Sequence, residues 1–166
     1  MSVIKRIRSD LHTMNPIYPL CGGIGMAILS VVTLMSSNCH PIYHWMLLPR
    51  GALPYFLFAA LGILLMFLLG AALGILFSAS CCRQKIGVSL ASLICDTIAT
   101  MVWYHVLFRS FHSLIAVVLL FLCITLELLL IRENLFENSL IMLVCLPVLV
   151  IRLHFIWLNI GICFLN

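Results

Sequence analysis

Charge is the scarcest commodity in this sequence. Only 8% of the 166 residues are Asp, Glu, Lys or Arg, whereas 64% are apolar, and the mean hydropathy is +1.25. A water-soluble domain of this length could not clothe its core with so little charge, so that class is excluded. Internal repeats, low-complexity tracts and a Gly-rich phosphate loop are also missing. There is no Ser-x-x-x-Lys or Gly-x-Ser-x-Gly nucleophile, no His-Glu-x-x-His, and no pair of in-membrane carboxylates of the intramembrane-protease type. Each of these lacks speaks against a hydrolase, because each motif supplies the nucleophile, base or metal that the chemistry needs.

What the sequence has instead is long apolar runs. In lipid every backbone donor and acceptor must be satisfied within the protein, which leaves helices or a closed barrel. The runs are continuous rather than alternating, and each is close to the ~20 residues that a spanning helix requires. They predict an all-α integral membrane protein: a five-helix bundle with spans over residues 17–35, 54–79, 86–108, 114–131 and 140–165, forming a single transmembrane domain over residues 1–166. Lys5, Arg6 and Arg8 precede the first run as they would in a signal peptide. That run starts late, is long for a cleaved signal and lacks a clear small-x-small site, so a retained first helix is the better reading.

Orientation follows from the basic residues, since positive loops stay on the cytoplasmic side. Lys5, Arg6, Arg8, Arg83, Lys85 and Arg132 fall on one side, and only Arg50 and Arg109 on the other. This predicts the amino terminus inside and the carboxyl terminus outside. The net charge of +4 comes from the cytoplasmic flanks; topology and anionic lipid account for it, and no nucleic-acid partner is implied. Among the eight cysteines, Cys21, Cys95, Cys123, Cys145 and Cys163 lie in apolar runs and read as small hydrophobes. Cys39, Cys81 and Cys82 lie near span boundaries, but the vicinal pair lacks the second Cys pair or His-x-x-x-His of a zinc site. Neither a metal nor a resident cofactor is expected.

Two ionisable residues stand near the middle of spans, where charge needs a partner or a wet cavity. Asp96 in the third span and Arg152 in the fifth lie at similar depths, because both spans start on the same side. The reading adopted is that they meet as an ion pair or share a hydrated pocket, against one in which Arg152 extends to an interface and Asp96 is protonated. Asp96, Thr100 and Trp103 share a helix face through their i, i+4, i+7 spacing, with His105 near the end of that helix. Arg152 and Asn159 share another, flanked by His154 and Trp157. Glu127 lies one turn from the end of its predicted span, so its carboxylate is expected to reach water near Arg132, and no role is assigned to it. Gly70 and Gly74 form a small-x-x-x-small pair suited to close helix packing. Residues 36–53 form a long connection carrying His40, Pro41, Tyr43, His44, Trp45, Pro49 and Arg50. It reads either as an interfacial aromatic belt or as a lid over a cavity.

In the last span Pro147 is followed by Leu158-Asn159, with Asn159 twelve residues on, and then by Leu165-Asn166 seven further on. This spacing resembles the last helix of the TspO/MBR family, the tryptophan-rich sensory and translocator proteins also called the peripheral benzodiazepine receptor family. Tyr43, Met46, Pro49 and Pro54 occupy places of the family's first-loop motif, Gly70 that of its Leu-Met-Gly, and Trp103 and Phe108 those of its third-helix Trp and Phe. Departures stand at Ile42, Gly62, Met66, Val148 and Ile151, where the family carries aromatics, and at Asp96 and Thr100, where it carries Gln and Asn.

The resemblance implies a five-helix bundle that binds porphyrins, sterols or synthetic aromatic ligands, a tetrapyrrole such as protoporphyrin or haem among them. It also implies a homodimer and a bacterial cytoplasmic membrane as the setting. The expected function is a receptor for a hydrophobic or amphipathic small molecule held between the helices beneath the first loop. Candidate ligand-binding residues are Tyr43, Trp45, Asp96, Thr100, Trp103, His105, Arg152, His154 and Asn159, with the buried charges favouring an ionised ligand. The alternative is a small transporter or proton-linked permease using Asp96 and Arg152. Behind these stand an enzyme acting on a bound tetrapyrrole or lipid, and a small stabilising subunit of a membrane complex.

Overall fold

The computed structural model describes residues 14–79, 86–134 and 139–165. Lys5, Arg6, Arg8, Cys81, Cys82, Arg83, Lys85 and Asn166 lie outside the described residues, and with them most of the charge asymmetry from which orientation was read. Six helices are present among the described residues: α1 (Ile17–Ser36), α2 (Cys39–Trp45), α3 (Tyr55–Ala79), α4 (Ile86–Phe108), α5 (Ser113–Asn134) and α6 (Ser139–Leu165). All but α2 are long and apolar enough to cross a membrane, and the molecule is an integral membrane protein. The observed ends fall within three residues of those predicted, the largest difference being the extension of the fourth span to Asn134.

The spanning helices carry apolar side chains on every face, as expected where the surroundings are hydrocarbon. Ile28, Val32 and Met35 on α1, Val118, Phe121 and Leu122 on α5, and Val150 and Leu153 on α6 are all exposed at the bundle surface. Pro147 lies inside α6, and the helix runs through it without a break. The helices α3, α4, α5 and α6 form a closed ring of contacts, and α1 lies mainly against α3 with a lesser contact to α4.

The α1–α3 contact is made at backbone distance. A Cβ added to Gly22 or Gly70 would meet the facing backbone carbonyl, and one on Gly74 would meet the backbone of Tyr18 and Pro19. The small-x-x-x-small pair is therefore used inside the chain, as helix packing requires, and a homodimer would have to use another face. The connection from α1 to α2 turns at Asn38, which adopts a left-handed conformation (φ 53°), one that Asn tolerates better than most residues. α2 then packs against α1, α3 and α4 at one end of the bundle. It is pinned there by Tyr43, whose hydroxyl donates to the Leu53 carbonyl at 2.6 Å. Burial, with Cys39 adding to it, pushes the Tyr43 phenol up to about 12, so this donor stays protonated.

A charged triad and an apolar cleft

Three helix faces converge on the interior. On α4, Ser89, Ser92, Asp96, Thr100, Trp103 and Leu107 recur at three- and four-residue intervals and are all buried. On α5 the buried stripe is Ala116, Leu120, Cys123, Glu127, Leu130 and Asn134. On α6 it is Val148, Arg152, Phe155, Asn159 and Ile162, alternating by four and three. Each helix thus turns its charged residue inward as part of its packing face.

Arg152, with no exposed surface, is held by two carboxylates. Its Nη2 donates to Asp96 Oδ1 at 2.9 Å and its Nε to Glu127 Oε1 at 2.9 Å, the two acids being 2% and 1% exposed. Nη2 also meets Thr100 Oγ1, which donates in turn to the Asp96 carbonyl at 2.7 Å. Arg suits this place because its planar fork presents several donors in fixed directions, so one cation can bridge acids from two helices. The remaining atoms, Asp96 Oδ2, Glu127 Oε2 and Arg152 Nη1, are buried without a hydrogen-bond partner among the described residues. The two carboxyl groups are thus held side by side on one guanidinium, through its Nη2 and its Nε. Towards the end of the bundle opposite α2, Asn134 Nδ2 donates to Ser89 Oγ at 2.9 Å and continues the polar line.

The predicted meeting of Asp96 and Arg152 is thus observed, and the prediction for Glu127 is corrected. Its carboxylate does not reach water near Arg132; it faces inward on a helix longer than predicted. The sequence carries a signal for this: Glu127 and Asn134 stand seven residues apart and so share one face, and a face bearing two polar groups in an apolar helix has reason to turn inward. There are accordingly two carboxylates inside the bundle where the sequence reading counted one. Both bind the same guanidinium, an arrangement suited to neutralising charge rather than to activating a water between them.

Between the triad and α2 lies an aromatic block of Tyr43, Phe58, Trp103, Tyr104, Phe108 and Phe155, all buried. Trp103 stacks on Phe155 with ring centres 5.2 Å apart. Gly62 leaves room for the Tyr104 hydroxyl, which lies where a Cβ on that glycine would be. Beyond this block, beside α2, a cleft of about 540 Å³ is lined by Ile42, Trp45, Met46, Leu107, Phe111, Ser113 and Ile162. Trp45 stands at it with 88% of its surface exposed. Phe111, in the connection from α4 to α5, holds a left-handed backbone (φ 57°) that a bulky side chain adopts only under strain.

The nine candidate residues do not form one pocket. Asp96, Thr100 and Arg152 are joined in the triad. Trp103 and Tyr43 belong to the aromatic block, and Trp45 lines the cleft. His105 lies beside the end of α1, its Nε2 3.5 Å from Ser36 Oγ. His154 stacks on Trp157 with ring centres 5.6 Å apart, at the half-exposed flank of α6. Asn159 is fully buried, and neither polar atom of its amide has a partner among the described residues. Comparison with protein-family models finds no match for this chain, and comparison with curated proteins finds none.

Proposed function

We propose that this chain is a membrane binding protein for a hydrophobic or amphipathic small molecule, a divergent relative of the TspO/MBR proteins, and that the ligand enters the cleft beside α2. The cleft carries the reading. Its volume of about 540 Å³ lies within the range of roughly 300–1,000 Å³ found for small-molecule sites. Among the described residues its lining is apolar but for Ser113 and contains no charged residue. An ionised ligand, expected from Asp96 and Arg152, finds no support in this cleft; the charges lie elsewhere and are bound to each other. A flat, largely neutral aromatic or polycyclic molecule suits the lining better. α2 serves as the lid over a cavity, the second of the two roles open to the long connection.

Tryptophan fluorescence tests the reading directly, because of three tryptophans only Trp45 lines the cleft. Titration of protoporphyrin or a sterol-like fluorescent probe into the protein in nanodiscs should quench the emission saturably, and Trp45→Phe should remove most of the quench. A response unchanged by Trp45→Phe, or no saturable response to any probe, would count against the site.

The strained backbone at Phe111 offers a second check, since strain persists where surrounding structure or function maintains it. Phe111→Gly should raise stability by about 1 kcal/mol by relieving the left-handed conformation, while weakening probe binding through loss of the ring. A thermal unfolding series alongside the fluorescence titration would show both effects.

A second reading, a small proton-linked carrier, draws its support from the surplus carboxylate in the triad. Substrate flux in proteoliposomes that is abolished by Asp96→Asn would favour it over binding alone.

A further inference from the structure

Two carboxylates and one guanidinium do not balance. Arg152 satisfies one oxygen of Asp96 and one of Glu127, and the second oxygen of each is buried without a partner among the described residues. Among the described residues the neighbours supply no further cation. α4 contributes Thr100, α5 contributes Cys123 and α6 contributes Cys145 around the acids. Neither α1 nor α3 contains an Asp, Glu, Lys, Arg or His anywhere in its length. The remaining described arginines, Arg50, Arg109 and Arg132, are exposed near helix ends. With both acids ionised, the interior would carry one uncompensated negative charge in a region that disfavours any net charge.

We propose that Asp96 and Glu127 together bind one exchangeable proton, bonded to Glu127 and shared with Asp96, which makes the Arg152 cluster electrically neutral. The proton comes from water and forms an O–H bond at Glu127; the carbonyl oxygen of the neutral acid continues to accept from Arg152 Nε, while Asp96 remains the ionised partner of Nη2. Glu127 is the carrier because glutamate is the more basic carboxylate. Both carboxyl groups are held by the same guanidinium, each with one oxygen left over, and paired acids in such a setting share one proton. The inference holds whether or not the cleft takes a ligand, so a failed ligand titration leaves it standing and its own failure leaves the binding reading standing.

Infrared spectroscopy of the full chain in a maltoside micelle, which has no ester carbonyls, tests this. At neutral pH the wild-type protein should show the C=O stretching band of a protonated carboxyl, shifted on exchange into heavy water. Glu127→Gln should abolish the band and leave the thermal transition near that of wild type, because an amide matches a neutral acid in shape and one carboxylate still neutralises Arg152. Asp96→Asn should abolish it also, since the remaining Glu127 is then needed as the ionised partner. The double variant Asp96→Asn/Glu127→Gln leaves Arg152 unbalanced and should lose its cooperative transition. Absence of the band from the wild-type protein, or its persistence in Glu127→Gln, overturns the proposal. Should Glu127→Gln fail to fold, the wild-type and Asp96→Asn spectra still decide it.

Discussion

Arg152→Met should lower the stability of the bundle by about 3–5 kcal/mol, the range seen when one partner of a buried ion pair is removed. The expectation rests on where the charges are. Met fills much of the volume of the Arg stem, so the loss is not chiefly one of packing. It leaves Asp96 and Glu127, both within 2% of full burial, facing each other without their common cation. Both must then be neutral, and the hydrogen bonds that joined α6 to α4 and to α5 are gone. Arg152→Lys should recover only part of the loss, since a compact ammonium does not reproduce the Nε and Nη2 fork that reaches two helices at once. Denaturation of the purified protein by sodium dodecyl sulfate in mixed micelles measures both variants. A midpoint for Arg152→Met equal to that of wild type would mean that the triad contributes nothing to holding the three helices together.

Gly70→Ala should destabilise the protein by about 2 kcal/mol, although helix propensity alone points the other way. Alanine is favoured over glycine in a helix interior by about 1 kcal/mol. At Gly70, however, the added methyl group would meet the carbonyl of Gly22 and the Met26 side chain, and overpacking typically costs about 1–3 kcal/mol. Backbone cannot swing away as a flexible side chain does, so packing outweighs propensity. Gly25, on the same helix as Gly22, has nothing near its missing Cβ. Gly25→Ala should therefore be neutral or mildly stabilising. The same denaturation assay compares the two, and equal behaviour would remove the argument for close α1–α3 contact.

The interplay of charge and hydrocarbon also explains why the triad involves three helices. An ion at the bilayer centre is disfavoured by about 2.5–3.5 kcal/mol on insertion scales, and an isolated Arg on α6 would draw its helix towards an interface. Paired with acids on α4 and α5, it instead fixes the rotation of all three helices about their axes. The aromatic block packs directly on this arrangement, with Phe155 on the residue face shared by Arg152 and stacked against Trp103. In this way one charged side chain and one stacked ring pair join α4 to α6 across the interior of the ring.

The five spans, their ends to within a few residues, the inward meeting of Asp96 and Arg152, and the packing use of Gly70 and Gly74 were legible in the sequence. The helix α2 was not: seven residues, Cys39–Trp45, carry too little periodicity to separate a short helix from an irregular loop. Glu127 was misplaced because its depth was counted from an end set three residues too early, which brought it within apparent reach of water. The long connection bearing Trp45 offered a lid, but nothing in the sequence marked the walls of the cleft, since Ile42, Leu107 and Ile162 are ordinary apolar residues that distance along the chain keeps far apart.

Sequence by itself determined that this is a bundle of membrane-crossing helices, because hydrocarbon judges each stretch of about twenty residues on its own and demands only length, apolarity and internal hydrogen bonding. Tertiary structure alone decided which faces meet: that Arg152 answers to two acids rather than one, that α1 claims the glycine stripe, and that space remains beside α2. Those are questions of how each helix is rotated against its neighbours, and rotation is fixed by contacts between residues that no local pattern relates.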